Sequence, residues 1–174
     1  TTTICAGTTN TYSIASVGGA ASYTWTLPGG WTGTSTSTSI SATATTASGT
    51  ISVTANNGCG NSAAQTIAIT VNQIPAQPAS ISGTTTICSG TSNTYSVLPV
   101  AGATSYTWST PSGWTGTSTT ETITPTASNT SGNITVTANN TCGNSTAQQV
   151  AITVNTIPAT PGTISGSSSV CQTS

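Results

Sequence analysis

Apolar residues return at every second position in short runs along this chain. Tyr12 and Ile14 alternate with Thr11 and Ser13, and Tyr23, Trp25 and Leu27 alternate with Thr24 and Thr26. Further on, Ile51, Val53 and Ala55 share one face, as do Ile67, Ile69 and Val71. A period of two puts apolar side chains on one side of an extended segment and hydroxyls on the other, the pattern of a half-buried antiparallel strand. Thr suits the outer side because its β-branch fits a pleated surface without adding charge. Turn-forming clusters separate the runs: VGGA, PGGW, ASG and NNGCGN. The pattern predicts strands near 2–6, 10–16, 21–27, 35–44, 50–56 and 64–72 and no helix, the signature of a β-sandwich.

The same pattern then starts again. TTTICAG at Thr1 returns as TTTICSG at Thr84, and residues 1–83 align with 84–166 without a gap, identical at 55 of 83 positions. So long a period fits one small domain per repeat rather than a solenoid turn. The expected organisation is repeat 1 at 1–83 with a linker near 73–83, repeat 2 at 84–166 with a linker near 156–166, and the opening of a third copy at 167–174 (SSSVCQTS). The chain reads as part of a longer array, with any export signal outside it.

SYTWTLPGGWTG followed by GTISVTANNGCG resembles the PKD-like, immunoglobulin-like repeats of very large surface proteins from gliding, type IX-secreting bacteria, many of them adhesins. The resemblance covers both repeats and rests on the Tyr-x-Trp strand, the G-T-I-x-V-T-x-x-N strand and the paired cysteines. It implies an all-β chain of tandem immunoglobulin-like (PKD-like) β-sandwich domains in an extended rod. PKD domains carry an acidic turn after the tryptophan, where this chain has WTLPGG and WSTPSG, so no role of those acidic residues carries over.

Composition narrows the chemistry. The 174 residues include no Lys, Arg, His or Asp, and Glu121 is the one charged side chain. A Ser–His–Asp triad, a pair of glycosidase carboxylates and a Schiff-base lysine all lack their parts, so no enzyme and no cofactor is expected. Glu121 stands where repeat 1 has Thr38 and reads as a solvated strand residue. Nucleic acid and anionic membranes are excluded as partners, because both are held by Lys and Arg. No apolar run approaches the length of a membrane helix. A disordered, mucin-like stalk would lack the recurring Trp and Tyr.

Five cysteines remain: Cys5, Cys59, Cys88, Cys142 and Cys171. They form no C-x-x-C pair and no His accompanies them, which argues against a metal site and for disulfides in an oxidising, extracellular setting. Two pairings respect the repeat, Cys5 with Cys59 inside one domain or Cys59 with Cys88 of the next. In an immunoglobulin-like sandwich the turn before the last strand lies at the pole where the first strand begins. Cys88 is set off from that turn by a last strand spanning roughly 30 Å, and a disulfide needs Cα atoms within about 7 Å. The expected bridges are therefore Cys5–Cys59 and Cys88–Cys142, each contributing about 4 kcal/mol, with Cys171 bonded to a partner beyond residue 174.

Trp25 and Trp108 alternate with Thr and are expected in the core. Trp31 and Trp114 follow Gly-rich turns and are expected to cap the core, with stacking on a sugar ring as the alternative. The segments VNQIPAQPASISG and VNTIPATPGTISG space their prolines as Pro-x-x-Pro, which favours extended, semi-rigid linkers. The expected function is a non-catalytic structural repeat, a stalk or filament of an extracellular adhesin that advances on the order of 40–45 Å per repeat. Its expected partners are the neighbouring repeats. The alternatives are a fibre of like chains, favoured by a surface with little charge repulsion, a glycan-binding module using Trp31 and Trp114, and an ice-binding Thr face on TSTSTSISATAT.

Overall fold

The structure, a computed structural model, describes residues 3–166 and Gln172. The opening of the third copy, with Cys171, lies outside the described residues apart from Gln172. Repeat 1 forms β1 (Thr3–Cys5), β2 (Thr9–Ser13), β3 (Ser22–Thr26), β4 (Ser39–Thr43), β5 (Gly49–Asn57), β6 (Gly60–Asn61) and β7 (Gln65–Asn72). Repeat 2 forms β8 (Thr86–Cys88), β9 (Tyr95–Ser96), β10 (Ser105–Ser109), β11 (Thr122–Ile123), β12 (Gly132–Asn140), β13 (Gly143–Asn144) and β14 (Gln148–Asn155). There is no helix among the described residues.

In repeat 1 the larger sheet runs β1-β7-β5-β3, with β6 added to β5, and the smaller pairs β2 with β4. The strand alternation decides which side chains fill the space between them. Ile51 and Val53 of β5 and Ile69 and Val71 of β7 point inward, while Thr50 and Thr70 face solvent. Ile4, Ala42 and Ala44 complete this core. Burying a side chain such as Ile51 stabilises the fold by about 1.5–3 kcal/mol. Repeat 2 has the order β10-β12-β14-β8 with β13 on β12, and the pair β9–β11. Its core holds Ile87, Tyr95, Ile123, Ile134 and Ile152.

The first strand of each repeat runs parallel to the last. Cys5 stands opposite Asn72 and Cys88 opposite Asn155, the final residues of β7 and β14. All the other strand pairs are antiparallel.

The solvent side of β2–β4 is held by hydroxyls where many proteins use ion pairs. Thr9 and Thr43 hydroxyls lie 2.7 Å apart and those of Thr11 and Ser41 3.2 Å apart. Repeat 2 keeps the ladder, with Ser92–Thr126 at 2.8 Å and Thr94–Thr124 at 2.9 Å. Such cross-strand pairs are worth a few tenths of a kcal/mol up to about 1.

The strand expected over 35–44 is shorter, Ser39–Thr43. The Ser35 hydroxyl accepts from Ser37 N–H at 3.1 Å, bending the chain before it can enter the sheet. β11 is shorter still, because Pro125 stands where repeat 1 has Ala42 and offers no N–H to a ladder.

Ile51→Ala and Ile134→Ala are each expected to lower the unfolding free energy by about 2–5 kcal/mol. Thr11→Ala is expected to cost no more than about 1 kcal/mol. Urea unfolding followed by tryptophan fluorescence measures all three.

Candidate functional site

Among the described residues no three of His, Cys, Asp and Glu stand close enough to hold a metal ion. Glu121 is half-exposed, just ahead of β11, and its backbone carbonyl accepts from Val97 N–H at 3.0 Å. What the fold does assemble is a junction, built where the end of repeat 1 meets one pole of repeat 2.

The centre of the junction is a disulfide between Cys5 and Cys142, with Cα atoms 5.4 Å apart and 137 residues of sequence between them. This corrects the expected Cys5–Cys59 and Cys88–Cys142 pairs. The reason is the parallel first strand. Because Cys5 pairs with Asn72, it sits at the C-terminal end of β7, whereas Cys59 lies in the turn that precedes the N-terminal end of β7. The eight residues of β7 separate the two by more than about 23 Å. At the exit pole Cys5 meets the next repeat's turn, which carries Cys142. Cys59 and Cys88 are exposed free thiols.

Hydrogen bonds extend the contact on both sides of the bridge. Asn140 uses its amide group as a three-way clamp. Its oxygen accepts from Cys142 N–H at 2.8 Å, and its Nδ2 donates to Gly102 O at 3.0 Å and to Gln73 O of the linker at 2.7 Å. Gln77 Nε2 donates to Ala147 O at 2.7 Å, and Gln148 Nε2 donates to Ala79 O at 3.0 Å. The Ile74 side chain lies against Gly143, where an added Cβ would come within 3.2 Å of it. Pro75 and Pro78 are buried. Further along, Ser82 and Ser96 exchange backbone hydrogen bonds at 2.8 and 2.9 Å, so the linker meets the edge of β9 in a single antiparallel bridge. Ile81 packs beside Trp108 against the repeat 2 core. Gly83, at φ +153°, passes so close to the Tyr95 ring that any side chain there would collide with it. The Tyr95 hydroxyl, its pKa raised by burial, donates to Thr84 O at 2.9 Å.

Trp31 and Trp114 close the cores from the turns, and Trp25 and Trp108 pack against them from the strands. Trp31 and Trp114 are each 8 % exposed and belong to the cores. Their indole N–H groups donate to Ala47 O and Thr130 O, both at 2.9 Å. They cap the core, and neither offers an open face for a sugar. Trp25 and Trp108 are the half-buried pair, donating to Ser37 O at 3.0 Å and Thr120 O at 2.9 Å. Sequence reasoning missed Asn140, Gln73, Gln77 and Gln148. The signal for Asn140 and Gln148 was the retention of NN-x-CGN and of Gln65 and Gln148 in the two repeats; Gln73 and Gln77, replaced by Thr156 and Thr160, had none.

Two sandwiches, each with a first strand parallel to its last, make this a tandem immunoglobulin-like β-sandwich protein. The pattern of the PKD-like domain matches residues 1–69 and 74–152, and the chain belongs to that family. Among solved structures it is similar to domains from titin, 18% identical with a TM-score of 0.55, over 88% of this chain and 61% of that one. It thus spans about three fifths of that titin segment. It is also similar to a chain in the complex of a mouse coronavirus receptor-binding domain with its murine receptor, 13% identical with a TM-score of 0.51, over 90% and 96% of the two chains. These likenesses concern the fold alone. No curated protein matches the chain.

Alkylation of the native, unreduced chain is expected to modify Cys59 and Cys88 and to spare Cys5 and Cys142. Peptic fragments should contain a Cys5–Cys142 crosslink; a Cys5–Cys59 crosslink would show that the register of β1 on β7 is wrong. Trp31→Ala is expected to destabilise repeat 1 by about 3–5 kcal/mol in urea unfolding, as a core residue does.

Proposed function

We propose that the chain is a non-catalytic structural segment of an extracellular surface protein, a semi-rigid spacer of the kind found in adhesins built from similar repeats. The observation that carries the reading is the covalent junction. A flexible tether would leave the two sandwiches to rotate independently, the default for domains in one chain. Here a disulfide, a set of hydrogen bonds and a strand-like linker fix one domain against the next.

Other features agree with it. A disulfide is kept in oxidising compartments outside the cytosol. The likeness of the repeats, identical at 55 of 83 positions, suits a spacer, which needs many copies, better than a binding site, which needs one. Families with this fold are typically non-catalytic, and the chain has no Lys, His or Asp with which to build a common catalytic group.

Small-angle scattering tests the rigidity. The oxidised chain is expected to scatter as one elongated monomer whose maximum dimension is on the order of 80–90 Å, two repeats end to end. Cys142→Ser combined with Asn140→Ala should keep both sandwiches folded and broaden the distance distribution. A curve unchanged by the double substitution would remove the junction as the source of stiffness. Growth of particle mass with concentration would replace the spacer by a self-assembling fibre.

A further inference from the structure

Repeat symmetry makes repeat 1 a direct comparison for repeat 2, and the two differ in what covers one surface. On repeat 2 the linker residues 73–83 lie over the pole and along the edge of β9. On repeat 1 the corresponding surface is an open groove in two parts. One part is a cleft of about 330 Å³ lined by Val17, Asn57, Cys59 and Gly60 among others. The other, of about 180 Å³, is lined by Tyr12, Ile14, Trp25 and Ile67 among others.

Each feature that grips the linker on repeat 2 has its counterpart in this groove. Asn57 Oδ1 accepts from Cys59 N–H at 2.9 Å and its Nδ2 donates to Gly19 O at 3.0 Å, as Asn140 does to its own turn. What Asn57 lacks is the second donation, the one Asn140 makes to Gln73 O. Gly60 leaves open the space that Ile74 fills beside Gly143. Val17 and Ile67 are exposed large apolar residues, while the matching Val100 and Val150 are half-buried under the linker. Tyr12 is half-buried where Tyr95 is fully buried. Cys59 is a free thiol in the position of the bonded Cys142.

The complementary half is also present. The linker after repeat 2 carries Pro158, Pro161 and Ile164, all exposed. Their counterparts Pro75 and Pro78 are buried, and Ile81 is packed on a core. Cys88, at the end of β8 as Cys5 is at the end of β1, is the second free thiol among the described residues.

We propose that the groove on repeat 1 binds the linker of a further copy of the repeat set ahead of it in the same chain, and that Cys59 closes a disulfide with that copy's first cysteine. The occupant is thus a segment of the same chemistry as residues 73–83 or 156–166, and the bridge is the Cys5–Cys142 bridge moved back by one repeat. Forming it joins two Sγ atoms. The two thiols give up two protons and two electrons to an external disulfide, which is cleaved to two thiols. The inference stands on the repeat symmetry and not on the spacer reading, which is tested on the two repeats alone.

The test is the full chain extended by one more copy of residues 1–83 ahead of Thr1, oxidised with a glutathione redox couple and mapped by peptic digestion and mass spectrometry. The expected map keeps Cys5–Cys142 and adds one bridge, from Cys59 to the first cysteine of the added copy. Cys59 found free, bonded to Cys5 or Cys88, or bonded to a separate molecule would overturn the proposal. A second readout separates docking from oxidation. In the extended chain with Cys59→Ser, amide exchange in segments 11–14 and 55–61 is expected to slow by roughly tenfold or more relative to the unextended Cys59→Ser chain. Equal exchange in the two would overturn the docking itself.

Discussion

The arrangement depends on one constraint: the first strand of each sandwich runs parallel to the last and ends level with it. That register carries Cys5 to the exit pole of its own domain, opposite Asn72. The cysteine of the β5–β6 turn stays at the entry pole. Every repeat therefore presents a cysteine at each end, and a bond can form only across a boundary. Had β1 paired so that Cys5 lay at the other end of β7, the same two cysteines could have closed one sandwich on itself. The linker would then have been the hinge that its length allows.

A bridge across a boundary acts differently from one inside a domain. In the chain-entropy picture a closed loop of 137 residues is worth about 5 kcal/mol. That stabilisation belongs to the pair, since opening either sandwich at the junction releases constraints on both. The individual sandwiches rest on their cores and on hydroxyl ladders that charge screening does not weaken, because they carry no charge. With one carboxylate in the chain, neither ion pairing nor repulsion sets the relative orientation of the repeats. Orientation comes from the disulfide and short-range contacts: Ile74 on Gly143, Gly83 over Tyr95, and the amide clamps of Asn140 and Gln148.

Much of the fold was legible in the period-two pattern. All six expected strands occur in repeat 1, because each carries an apolar face that must be buried and a hydroxyl face that need not be. The repeat was legible as well, since identity at 83-residue spacing requires no physical model. The junction was not. Strand periodicity says which residues face inward, but it does not say which strand lies beside which, or in which direction. Cys5 lies only a few residues into the chain in either pairing, and its partner depends on a parallel contact with β7 that leaves no local signature. Alternation with Thr puts Trp25 on the inward face, where it packs half-buried against the core, while Trp31 enters the core from a turn whose residues follow no period.

The same geometry explains how the correct bridge can form without competition. Cys59 is synthesised well before Cys142, so in a chain that folds from its N-terminus Cys5 meets Cys59 first. A folded repeat 1 keeps the two apart by the length of β7, far beyond the reach of a disulfide. Cys88 is similarly separated from Cys142 by β14, so folding of each sandwich blocks its own internal pair. Cys5 stays reduced until a second sandwich brings Cys142 to it, and the bond then records that two neighbours have docked in order. The selectivity requires no charged residue and no recognition sequence at the cysteines, only that each domain fold before its thiols are oxidised.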